Sequence, residues 1–271
     1  MTHARRTYLT LVATLALVAT FGCRRTGVEP PPAPIEPRTA LPEVDVPPAP
    51  DDDITFDGVL DEPAWQDAAL TEAFVQPGDG MIDPVSDVAA TARLAWTDEA
   101  LLIAFEVYDV EPTSPHERDA EDPHIWEAAS GIELMLQPGD PGDNTHYYEV
   151  QVDVAGAVWD TRFDDYNNPV SGEGAARTFG HQDWSAALER GVTTSESGYV
   201  VEMALPWSAI TSPHATIPPA VGDTWRVNLY AFRDGQRAAV AWSPLLGEGN
   251  FHRSARFGRV TFTDGTSTEE E

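Results

Sequence analysis

The chain has 271 residues, 42% of them hydrophobic and eight of them Trp, enough for one sizeable core, which excludes a disordered polymer. Its 16 basic residues are all Arg, set against 45 Asp and Glu for a formal net charge of -29. A surface this acidic repels phosphate backbones, so nucleic acid is excluded as a partner, while neutral sugars, cations and basic partners stay open.

Residues 1–22 read as a secretory signal, with Arg5 and Arg6 as the positive start and Tyr8 to Phe21 as an apolar stretch too short to span a bilayer comfortably. That stretch ends Thr20-Phe21-Gly22-Cys23, and Cys23 is the sole cysteine, so no intramolecular disulfide can form. A small residue followed by Cys at this place resembles the bacterial lipobox, with Thr20 where Leu is usual. The resemblance implies lipidation of Cys23 and a place in the bacterial outer membrane or cell envelope, touching the membrane through the lipid alone. The alternative is a Cys that merely follows a signal peptide. Residues 23–52 carry Pro30, Pro31, Pro32, Pro34, Pro37, Pro42, Pro47, Pro48 and Pro50, a density that opposes helix and sheet and predicts an extended stalk. At roughly 3.1 Å per residue it would reach on the order of 80 Å.

The folded domain is expected over residues 53–264, and its pattern is strand after strand. Val88, Ala90, Ala92, Leu94 and Trp96 alternate with polar or small residues; so do Leu101, Ile103, Phe105 and Val107, then Ile132, Leu134 and Leu136. Tyr148 to Val154, Tyr199 to Leu205 and Trp225 to Ala231 continue the series. One apolar and one polar side per strand predicts antiparallel sheets with one solvated face, carrying Glu149, Gln151, Arg226 and Asn228. Gly, Pro, Asn and Asp clusters punctuate the strands, and brief helices are expected at Glu62 to Ala69 and Pro206 to Ile210, with Pro206 at a first helical position. The fold class is all-β, an antiparallel, jelly-roll-like β-sandwich with one or two short helices. Residues 265–271 form a polar tail expected to fray.

Four stretches carry a resemblance: Ile54 to Trp65, with Asp57-Gly58 and Asp61-Glu62; Ala92 to Asp98; Gly198 to Trp207; and Ala241-Trp242-Ser243-Pro244 followed by Phe257-Gly258. Together they resemble the family 9 carbohydrate-binding modules, β-sandwiches often attached to xylanases. The resemblance implies a binder of poly- or oligosaccharide rather than an enzyme, supporting carbohydrate breakdown, with structural calcium as the metal it admits. No set of carboxylates has the spacing of a defined calcium loop. Trp65, Trp96, Trp207 and Trp242 sit within apolar patterning and read as core.

Sugar rings present apolar faces and a rim of hydroxyls, so a binder needs aromatic surfaces plus fixed donors and acceptors. By the family's landmarks the aromatic clamp falls on Trp126, ahead of Glu133, and on Phe251, ahead of Phe257-Gly258, both expected as exposed loop aromatics. Glu133, Glu149 and Asn228 complete the candidate site. Two departures accompany the resemblance: an acid is replaced by Ser130 before Glu133, and Glu149 stands where the sugar-binding form has Arg. Two other readings remain: a surface scaffold without sugar activity, and a haem-carrying electron-transfer sandwich with Met135 and His252 as axial ligands. The six His beyond the signal lack zinc-ligand pairs, and no nucleophile elbow, P-loop or dinucleotide fingerprint is present.

Overall fold

A computed structural model describes residues 36–50, 54–247 and 249–266. The signal, Cys23, the first part of the Pro-rich segment and the end of the tail lie outside the described residues. Twelve strands occur among them: β1 (Glu43–Val46), β2 (Ala69–Leu70), β3 (Val88–Trp96), β4 (Ala100–Asp109), β5 (Gly131–Gln137), β6 (Thr145–Asp153), β7 (Val158–Asp165), β8 (Glu189–Ser195), β9 (Gly198–Pro206), β10 (Thr224–Arg233), β11 (Ala238–Ala241) and β12 (Gly258–Phe262). They form two sheets, one of seven strands in the order β1-β12-β10-β5-β6-β7 with β11 also on β10, and one of five in the order β2-β3-β4-β9-β8. All pairings are antiparallel except β1 with β12. The expected sandwich is the observed one.

The alternating residues explain the layering. Val88, Ala90, Ala92 and Leu94 of β3 and Leu101, Ile103, Phe105 and Val107 of β4 meet Ile132, Leu134 and Leu136 of β5. Tyr148, Val150 and Val152 of β6 and Trp225, Val227, Leu229 and Ala231 of β10 complete the buried cluster between the sheets. Trp207 and Trp242 are buried in this core and Trp96 packs half-buried against it. Trp65 lies in a second cluster on the outer side of the five-stranded sheet, with Leu102, Ala104 and Ala204. It is placed there by the short helix α1 (Pro63–Asp67), which begins with Pro63, whose fixed φ and missing N–H suit a first turn.

The two glycine motifs are close approaches of backbone to neighbour. Gly58 holds φ +85°, and a Cβ there would lie 2.4 Å from the Thr193 nitrogen of β8. A Cβ on Gly258 would lie 2.5 Å from the Trp242 ring, so the Phe-Gly pair near the end exists to seat that Trp.

Three expectations are corrected. The Pro-rich segment does not run as a free stalk to residue 52: β1 pairs in register with Arg259 to Phe262, and Val46 is fully buried. Pro42 and Pro47 flank the strand on a sheet edge, where they lose no ladder donor and act as acceptors, Pro42 from the Arg259 amide at 2.9 Å and Pro47 from that of Trp96 at 3.1 Å. The second α-helix is α2 (Ile125–Ala128), unmarked by periodicity at four residues. Trp207–Ala209 forms a single 3-10 turn, with Pro206 in extended conformation at its N-cap rather than at a helical position. Finally, the polar face of the seven-stranded sheet is not solvated. Glu133, Glu149, Gln151, Arg226 and Asn228 are all buried, because the chain between β7 and β8 and the chain between β11 and β12 fold over them.

Candidate functional site

The outer face of the seven-stranded sheet carries two adjacent rows of side chains fixed by strand register. The first runs Tyr230, Glu133, Gln151, Trp159 across β10, β5, β6 and β7. The second runs Asn228, Met135, Glu149, Thr161 across the same strands. At about 4.8 Å between strands, the aromatics ending the first row stand roughly 14 Å apart, with Glu133 and Gln151 between them.

Each end aromatic supports another that rises from the covering layer. Phe251 lies flat on Tyr230, ring centroids 3.9 Å apart and planes 5° from parallel. Trp126 of α2 meets Trp159 edge to face at 4.5 Å and stacks on His124 at 4.4 Å. A third wall comes from the segment after β7: Tyr166 stacks on His252 at 4.1 Å and touches Phe179, over which Arg177 is placed at 5.5 Å. These walls and the floor enclose a cavity of about 380 Å³ lined by Trp126, Glu133, Glu149, Gln151, Phe251 and His252 among others.

Four of the five expected binding residues line this cavity together, Trp126, Glu133, Glu149 and Phe251. Neither aromatic is the free loop side chain anticipated; both are half-buried and packed on a strand aromatic. Asn228 does not line the cavity. It is fully buried, its amide donating to the Tyr230 hydroxyl (2.7 Å) and the Ser243 carbonyl (2.9 Å), while its oxygen accepts from the amides of Leu229 and Ser243. Its four bonds are spent on holding Tyr230, and hence Phe251, in place. Trp159, Thr161, Phe163, Tyr166, Phe179 and Gln236 are also among the lining residues without having been singled out, and His252, read only as a haem ligand, joins them. The alternation Trp159, Thr161, Phe163 was available as a signal, masked by the charges at Asp160, Arg162 and Asp164.

The floor is polar and short of partners. The Gln151 amide donates to Glu133 Oε2 (2.9 Å) and to Glu149 Oε1 (2.8 Å), and Gln236 reaches Glu133 Oε2 at 3.2 Å from the β10–β11 turn. Glu133 Oε1, Glu149 Oε2, Gln151 Oε1 and Thr161 Oγ1 are buried with no hydrogen-bond partner. Buried polar atoms are rarely left so, and four at one cavity mark where a ligand's polar rim would bond. Burial, then the nearby Glu149, pushes the Glu133 carboxyl well above the usual carboxylate range; burial pushes Glu149 up to about 8. Burial also holds the His252 imidazole down to about 3, so it is neutral, and its 3.6 Å approach to Glu149 Oε2 is not an ion pair. The other ring nitrogen, His252 Nδ1, shares a hydrogen bond with the Tyr147 hydroxyl at 2.8 Å, its direction following the imidazole tautomer.

One cofactor expectation does not fit. Met135 is fully buried among Tyr147, Phe163, Tyr230 and Phe257, so no thioether reaches the cavity to pair with His252 across a haem. Among the described residues no group of three or more His, Cys, Asp or Glu is arranged to hold a metal.

Comparison with known proteins adds four findings. Residues 56–265 match the family model described as carbohydrate family 9 binding domain-like. A segment of the exoglucanase XynX of Acetivibrio thermocellus is 27% identical over 215 residues, 77% of this chain; the chain spans 16% of that relative's length. A family 9 module from Caldicellulosiruptor kristjanssonii solved with cellotriose superposes with a TM-score of 0.54 at 14% identity, covering 84% of this chain and 97% of that one. A carbohydrate-binding protein candidate from Bacteroides uniformis gives 0.62 at 17% identity, covering 82% and 100%. At these identities the solved structures speak for the shared fold.

Proposed function

We propose, from the premise that this chain belongs to the carbohydrate family 9 binding domain-like family, that it is a non-catalytic binder gripping a saccharide unit between Trp126 and Phe251. The observation that carries this is the pairing of aromatic walls with four buried, partnerless polar atoms on the floor between them. Apolar ring faces would pack on the aromatics and hydroxyls would complete the bonds of Glu133, Glu149, Gln151 and Thr161. Burial shifts both carboxyls toward the protonated form, in which each can donate as well as accept, as a ring of hydroxyls requires. The saccharide seen with the Caldicellulosiruptor module and the relation to part of an exoglucanase support the ligand class.

The finer reading is of a lipid-anchored envelope protein, with Cys23 as the acylated residue, that presents the sandwich to poly- or oligosaccharide in the service of its breakdown. The sole Cys at the end of an apolar leader supports it. Titration calorimetry of the purified chain against oligosaccharide panels tests the binding. Heat released by one saccharide class and lost in Phe251→Ala is the expected result; no binding to any class leaves the scaffold reading in its place.

A further inference from the structure

We infer that the unit this cavity selects is an amino-bearing sugar, its ammonium group seated between Glu133 Oε1 and Glu149 Oε2 and its ring held by the aromatic walls. This rests on the saccharide reading and deepens it. Glu133 and Glu149 are buried on neighbouring strands and are bridged by one Gln151 amide at 2.9 and 2.8 Å, so the two carboxyls are held side by side. Each keeps its other oxygen unpartnered at the cavity. Among the described residues no cation reaches that floor: Arg177, the one Arg of these in the lining, is exposed, bonds the Gly174 carbonyl at 2.8 Å and sits over Phe179. Ionised, two neighbouring acids without a counter-charge would repel, and burial with proximity raises both toward the protonated form; a ligand bearing a positive charge would favour ionisation of one of them instead. The surrounding faces of Trp126, Trp159, Tyr166 and Phe251 suit the same charge, because a cation is drawn to aromatic π faces.

The charge balance is explicit. The titratable groups facing Glu149 are Glu133 of β5, Tyr147 of β6, Tyr166 after β7, Tyr230 of β10 and His252 before β12. Each is shifted toward its neutral form, the acids and phenols raised by burial and His252 lowered by it. Binding of an ammonium group ionises one carboxyl, whose proton leaves to solvent while the carboxylate pairs with the ligand cation.

The test is calorimetry of the full chain with glucosamine tetramer and with cellotetraose, at pH 7 in two buffers of different ionisation heat. The amino-sugar tetramer should bind at least tenfold tighter and release about one proton per site, and Glu149→Gln should abolish both the preference and the release. Glu133→Gln serves as the second variant, and proton release in the unaltered chain needs no variant at all. Equal or tighter binding of cellotetraose without proton release overturns the amino-sugar assignment and leaves the saccharide site standing; binding of neither overturns both.

Discussion

At the scale of single residues, the environments of the Trp side chains divide what supports the fold from what faces the cavity. Trp65 is 1% exposed among Ala and Leu side chains, and Trp65→Ala is expected to cost about 3–5 kcal/mol, read as a loss of soluble protein or a large fall in Tm. Trp126 is half-buried and rests on a strand aromatic that stays behind, so Trp126→Ala should cost about 1 kcal/mol. The buried carboxyl makes a pH prediction whose sign is fixed. Glu149 has its folded pKa raised to about 8 from an ordinary value of 4.5, so the protonated form favours the native state. That contribution is full below about 4.5 and is lost as pH rises through 8. His252 acts oppositely: lowered to about 3 from 6.5, it favours the native state above 6.5 and loses that contribution as pH falls toward 3. Glu149→Gln should therefore flatten the fall in Tm between about pH 6.5 and 8, where the His252 contribution is already complete, and leave the limb below pH 4.5 unchanged. A wild-type Tm that does not fall over that interval would contradict the burial of a protonated Glu149.

Among the elements, legibility followed length and periodicity. β3, β4, β5, β6, β9 and β10 each carry three or more alternating apolar residues and were readable from the sequence. β7 alternates just as strictly, but its core-facing positions include Asp160 and Arg162, so the period-2 signal failed. β1 was hidden by its prolines, although only four residues between Pro42 and Pro47 are needed for an edge pairing. The site was half legible. Trp126, Glu133, Glu149 and Phe251 came from landmarks, whereas Trp159, Phe163, Tyr166 and Phe179 required knowing that two long connections close over one sheet face. The same closure turned Asn228 from a binding residue into a brace. β1 yields its own prediction: Val46→Asp, placing a carboxylate at a fully buried position on the β12 edge, should destabilise by about 3 kcal/mol. Asp45→Asn on the exposed side should change stability by less than about 0.5 kcal/mol. Equal Tm values for the two variants in thermal unfolding would mean that residues 43–46 behave as stalk after all.

For the whole molecule, charge and the proposed lipid anchor bear on how the sandwich meets its surroundings. A net charge of -29 repels an anionic bilayer, so attachment would fall to acyl chains on Cys23. Cys23→Ser is expected to abolish metabolic labelling by palmitate and to shift the protein from the detergent phase to the aqueous one; unchanged labelling and partitioning would end that reading. The sandwich itself is a rigid frame whose outer sheet face, in place of being solvated, is roofed to leave one aromatic-walled cavity over paired acids. The most direct test of saccharide capture there is titration calorimetry of the unaltered chain, Trp126→Ala and Phe251→Ala with an oligosaccharide that the unaltered chain binds. Truncating either aromatic should weaken affinity about thirty-fold, the equivalent of roughly 2 kcal/mol, while Tm moves only slightly. Wild-type affinity in both variants would contradict the clamp.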